Sequence, residues 1–274
     1  MKVLHAGVGA VLALAVGSVA SAAHLGSTIS NTGMNRSATQ NFDHTVDVGT
    51  NEVLIVGLGF RSGINRDVTS VAWKVDGGAT QALTLVSGAS ASVYSGADYT
   101  ETEIWYIYGA TQGSGTVTVN FNGALSGTST TAGGIFSAAN VYGVTANITS
   151  NFSSASLTKA NSQTVLSSDN AVVYSIAAQS SPVGSTQWAF SNDPDATYQQ
   201  TIFTLNNVGS INAAGQYTIN GNDSEGMHGY VVSNGPANAS MPLSIVSFAV
   251  PEPTTLSLLA VGAAGLLLRR RKSK

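Results

Sequence analysis

Histidines and carboxylates are few enough in this chain to weigh singly: four His and 14 Asp plus Glu in 274 residues. His44 follows Asp43 and precedes Asp47 by three positions, a grouping suited to general acid–base work if the side chains met. Strand alternation instead puts His44 and Asp43 on opposite faces, so no such pair is expected. His228, close after Asp223 and Glu225, reads as a histidine facing water. Motifs that carry catalysis are missing from the sequence. There is no G-x-S-x-G elbow and no H-E-x-x-H, and Gly57 and Gly59 are followed by Ser62 where a G-x-G-x-x-G loop needs its third glycine. Gly57 and Gly59 read as positions that thin a strand for close packing. No catalytic residue is assigned, and a protein that is not an enzyme is expected.

Two turns concentrate oxygen donors, Asn192-Asp193-Pro194-Asp195 and Asn220-Gly221-Asn222-Asp223-Ser224-Glu225. A hard cation such as Ca²⁺ takes six to eight oxygens, so Asp193, Asp195, Asp223 and Glu225 are the candidate calcium ligands. Asp and Asn are also the ordinary residues of turns, through side-chain hydrogen bonds to their own backbone. With turn chemistry the stronger explanation, no cofactor is expected. Tyr94, Tyr99, Trp188 and Tyr198 lie in Ser/Gly/Asp-rich surroundings. Exposed rings there would offer flat apolar faces for sugar contact, and the competing reading is that each ring plugs the end of a core.

These residues need a scaffold, and composition limits which one. Charged residues make up 9% of the chain, the net charge is −3, and Arg269, Arg270, Arg271 and Lys272 hold much of the positive part. No basic face remains for nucleic acid. With no cysteine there are no disulfides, yet a body of this length can bury a core without them.

The ends of the chain are addresses. Met1-Lys2, an apolar stretch from Ala6 to Val19 and Ala20-Ser21-Ala22 read as a secretory signal peptide over residues 1–22, handled by the Sec translocon. At the other end, over residues 250–274, Pro251-Glu252-Pro253 precedes a thirteen-residue apolar run, Leu256 to Leu268, and the four basic residues. At ~1.5 Å per residue such a helix reaches only ~20 Å, short for a bilayer core of ~30 Å. Basic residues beyond it keep that end cytoplasmic and halt translocation. The prolines leave Glu252 in an extended tag on the outer side. Together these parts resemble the PEP-CTERM sorting signal. The resemblance implies an exosortase as processing partner, a transient inner-membrane anchor, and then delivery to the cell surface or the exopolysaccharide matrix.

Residues 23–249 carry the period of strands. Val117, Val119 and Phe121 alternate with Thr and Asn, and Val71, Trp73 and Val75 share a face. Asp76-Gly77 then predicts a hairpin to Leu83-Thr84-Leu85-Val86. Glu52 to Phe60 is almost continuously apolar, as in a strand covered on both faces. Further strands are expected at 103–108, 132–137, 171–178, 201–205, 216–220, 228–232 and 243–249. No helical period and no repeat of fixed length is seen, so the expected fold is one all-β domain, a β-sandwich or jelly roll. Val68-Thr69-Ser70-Val71, Leu83-Thr84-Leu85-Val86, Glu103-Ile104-Trp105-Tyr106 and Gly115 to Phe121 resemble a family of exported bacterial jelly-roll-like domains without assigned function. That resemblance implies a fold and supplies no catalytic residue. Three functions are compatible with these features: a non-catalytic surface or extracellular-matrix protein, a carbohydrate-binding module for exopolysaccharide, and a hydrolase acting on matrix polymers.

Overall fold

The computed structural model describes residues 24–34, 36–94, 98–127, 132–145, 147–155, 160–165, 171–180, 188–190, 196–208, 211–220, 227–233 and 241–249. The signal peptide and the whole sorting tail from residue 250 lie outside these residues. Ala22–Val250 forms one compact unit. Every described element in it is a β-strand, and every pairing is antiparallel.

Four sheets are present among the described residues. Sheet A runs β1 (His24–Met34), β9 (Gly133–Tyr142), β3 (Val53–Ser62), β7 (Tyr99–Tyr108), β6 (Thr84–Tyr94). Sheet B runs β2 (Thr39–Val46), β8 (Gly113–Phe121), β4 (Val68–Val75), β5 (Thr80–Ala82). Sheet C runs β10 (Ile148–Ala155), β17 (Met241–Phe248), β12 (Val172–Ser180), β15 (Ile211–Asn220), β14 (Ala196–Val208). Sheet D runs β11 (Ala160–Val165), β16 (Met227–Ser233), β13 (Trp188–Phe190).

The same wiring occurs twice. With the short β5 set aside, each half of the chain contributes eight strands. In the order 1-8-3-6-5 and 2-7-4 they form sheets A and B from the first half and sheets C and D from the second. No fixed sequence period announces this repeat, because loops and strands differ in length between the halves while the pairing order is kept.

Packing follows from alternation along the strands. Leu54, Val56, Leu58 and Phe60 of β3 face sheet B and join Phe42, Trp73, Val117 and Val119 in one core. Val53 and Ile55 of the same strand face sheet C and join Ile104, Ile135, Val172, Tyr174, Ile176, Val246 and Phe248 in a second. Sheet A is therefore a middle layer, and β3 and β9 are buried at every residue. This fulfils the expectation of a strand covered on both faces and explains why Glu52 to Phe60 shows no alternation of its own. Ala177, Met241 and Leu243 pack on the other face of sheet C.

One local expectation is corrected. Asp76-Gly77 does turn the chain, with Gly77 at φ +72°, but the strand it returns is β5, paired with β4. Leu83 then crosses between layers, and β6 leaves for the edge of sheet A beside β7. Leu83 lies in the core between sheets A and B and Val86 in the core between A and C, so the apolar run Leu83 to Val86 reflects that crossing.

Candidate functional site

Strand β2 alternates exposed and buried residues, so Gln40, Phe42, His44 and Val46 point inward. A histidine in that row has to be satisfied by hydrogen bonds, since an unpaired polar group in a core costs ~1–3 kcal/mol. Sheet A supplies the partners. Asn140 of β9 donates from Nδ2 to the Thr45 carbonyl at 2.9 Å, which turns its Oδ1 toward His44. His44 Nε2 lies 3.1 Å from that oxygen and therefore carries the proton. Its Nδ1 is left with a lone pair, 3.0 Å from the hydroxyl of Ser30 on β1, which donates to it.

Trp73 stands edge-on to the imidazole, with ring centroids 6.1 Å apart, and its own Nε1 donates to the Thr111 carbonyl at 2.9 Å. Burial lowers the pKa of His44, opposed by the Asn140 hydrogen bond and by the charge of Asp47, so the ring is neutral at pH 7.

The Ser30–His44–Asn140 chain opens at Ser30 into a cleft of about 370 Å³, lined by Ser30, Asp43, His44, Thr45, Asp76 and Ser114. Gly115 completes the lining, and a Cβ there would lie 2.2 Å from the Lys74 carbonyl oxygen, so β8 and β4 approach closely because this residue has no side chain. Asp43 is exposed while His44 is buried, the opposite facing that alternation predicts. Thr45 and Ser114 hydroxyls lie 3.1 Å apart at the same opening.

Sequence reasoning passed over this group because its members come from three strands, one of which, β1, showed no strand period. The available signal was that His44 is in phase with Phe42 and Val46.

A second cluster lies further along β7. Glu101 and Glu103 are both buried, and Trp105 Nε1 donates to Glu103 Oε2 at 2.8 Å. Burial, then the proximity of Glu103, pushes Glu101 up to about 8, and burial pushes Glu103 up to about 7. Glu52, also buried, is pushed up to about 7.

Of the aromatic residues singled out from sequence, two meet. Tyr94 and Tyr99 face each other where β6 and β7 end, with centroids 4.7 Å apart and planes tilted by 35°. Tyr94 is 55% exposed, so this pair does not plug a core. Next to it, Asp98 forms a buried ion pair with Arg61 at 2.5 Å. Trp188 and Tyr198 belong to β13 and β14, but their side chains lie outside the described residues, as does that of His228 on β16.

Asp193, Asp195, Asp223 and Glu225 also lie outside the described residues. Among the described residues no group of three His, Asp or Glu could hold a metal ion, and no helix is long and apolar enough to cross a membrane.

The PEP-CTERM protein-sorting motif matches residues 249–272, which takes in Pro251-Glu252-Pro253, the apolar run and Arg269 to Lys272. The motif implies processing by an exosortase and export with a C-terminal membrane-anchoring sorting signal. No curated protein and no solved structure matches the chain.

Proposed function

We propose that the β unit is a surface or extracellular-matrix protein, released outside the cell once the tail has been processed. The sorting motif at residues 249–272 carries this reading, and the strand order is that of two jelly rolls laid face to face. Backbone hydrogen bonds hold the chain in the fold up to Ala249, whose N–H donates to the Asn147 carbonyl at 3.0 Å and whose carbonyl accepts from Thr145 N–H at 2.7 Å. Pro251 is therefore two residues from the folded edge, a reach of at most ~7 Å. The tag and its cargo reach the processing enzyme together.

Replacement of Pro251-Glu252-Pro253 by alanines tests this. In a host with an exosortase, cell fractionation should find the variant exported but held in the inner membrane while the parent reaches the surface. Equal surface delivery of both would overturn the sorting role.

A second role, contact with exopolysaccharide, is favoured by one observation: Tyr94 and Tyr99 form an exposed ring pair at a hairpin end instead of filling a core. A glycan array probed with the parent and with Tyr94→Ala measures it. Binding by the parent that the variant loses is the expected result.

A further inference from the structure

We propose that Ser30 is the nucleophile of an acyl-transfer site in the cleft between sheets A and B, with His44 as its base and Asn140 as the group that orients the base. The proposal adds an activity to the surface-protein reading, whose sorting and location do not depend on it. A hydroxyl becomes a nucleophile when a base accepts its proton, and the base works when a third group fixes its tautomer and angle.

All three conditions are met here by hydrogen bonds. Asn140 is locked by the Thr45 carbonyl, so His44 keeps its proton on Nε2 and presents a bare Nδ1 to Ser30 Oγ at 3.0 Å. Cys-His-Asn proteases use the same order of roles with a thiol in place of the hydroxyl. The buried imidazole is neutral, which is the form that can take a proton.

The cleft sets the substrate class. At about 370 Å³ it is large enough for a small acyl group with part of its alcohol. Asp43 and Asp76 on its wall disfavour anions, so the substrate that fits is a neutral ester, such as an acylated hydroxyl of a sugar polymer. Thr45 and Ser114 use one hydroxyl proton in their mutual hydrogen bond and have a second to donate to a developing oxyanion.

The reaction balances without a cofactor. Ser30 Oγ adds to the ester carbonyl carbon while its proton moves to His44 Nδ1. The carbon–alcohol oxygen bond then breaks, and the alcohol leaves with that proton. Water repeats the two steps on the acyl-serine, giving a carboxylic acid and the free hydroxyl. The transient imidazolium is stabilised by Asn140 Oδ1 and by the charge of Asp47.

The exported protein treated with a fluorophosphonate, and separately with p-nitrophenyl acetate, gives the test. The expected results are a single adduct that peptide mass spectrometry places on Ser30, its loss in Ser30→Ala, and a slowing of labelling by about 100-fold in His44→Gln. In the parent, labelling should rise with pH through a titration below the ordinary histidine value of 6.5. Circular dichroism of each variant shows that the fold is kept. If His44→Gln does not fold, the site of the adduct and the pH profile of the parent decide by themselves. Absence of an adduct on Ser30, labelling indifferent to pH across that range, or a folded His44→Gln labelled at the parent rate would overturn the proposal and leave His44 as a tie between two sheets.

Discussion

The hydroxyl of Tyr174 occupies the space where a side chain on Gly57 would begin: a Cβ there would lie 2.1 Å from Tyr174 Oη. Gly57 is on β3 of the first half and Tyr174 on β12 of the second, so the contact is a direct joint between the halves. Ser137 of β9 lies 3.3 Å from the same hydroxyl and gives it a hydrogen-bond partner in the buried interface.

Gly57→Ala should therefore push sheets A and C apart. Overpacking of this kind costs ~1–3 kcal/mol, and Tyr174→Phe in the same chain would not relieve it fully because the ring carbon Cζ also lies within 2.9 Å of the new methyl. Thermal unfolding of the two single variants and the double variant measures the effect. An unchanged midpoint in Gly57→Ala would show that the interface is looser than drawn.

Severing the halves should expose one face of sheet A. Residues 24–145 alone would present Val53, Ile55, Ile104 and Ile135 to water. An apolar patch of that kind drives association. Light scattering should find this fragment oligomeric or aggregated, and co-expression of residues 147–249 should restore a soluble complex. A stable monomeric first half would count against the face-to-face packing.

Stability should fall as pH rises from about 5 to about 8. Glu101, Glu52 and Glu103 have folded-state pKa values of about 8, about 7 and about 7, above the ordinary 4.5. Between those limits the folded protein binds more protons than the unfolded chain, so their contribution is complete below 4.5 and is lost on the way to 8. His44 opposes them. Its lowered pKa means that its contribution is present above 6.5 and is lost as the solution is made more acidic. Three carboxyls outweigh one imidazole, so urea midpoints should be higher at pH 5.5 than at pH 8, and His44→Gln should steepen the difference.

The buried pair Arg61–Asp98 should respond unequally to single and double replacement. Asp98→Ala leaves a guanidinium among buried groups without its carboxylate, at a cost of ~3–5 kcal/mol. Arg61→Met combined with Asp98→Leu removes both charges and should cost much less. Chemical denaturation of both variants separates the two outcomes, and equal losses would mean that the ion pair itself stabilises the fold.

The sequence by itself determined what depends on near neighbours in the chain. Alternation at Val117, Val119 and Phe121 gave a half-buried strand, and the unbroken apolar run from Val53 to Leu58 gave a central one, because side chains two positions apart share a face whatever the rest of the chain does. The sorting tail was legible for the same reason, being read as an extended segment.

What only the tertiary structure decided is what depends on pairing across long distances. Ser30, His44 and Asn140 are far apart in sequence and meet because β1 and β9 are neighbours in sheet A and β2 lies over them in sheet B. The doubled wiring was hidden likewise. Strand order is fixed by hydrogen-bond partners between strands, while the local pattern fixes only which face of each strand is apolar, so two halves with unlike residues can share one topology.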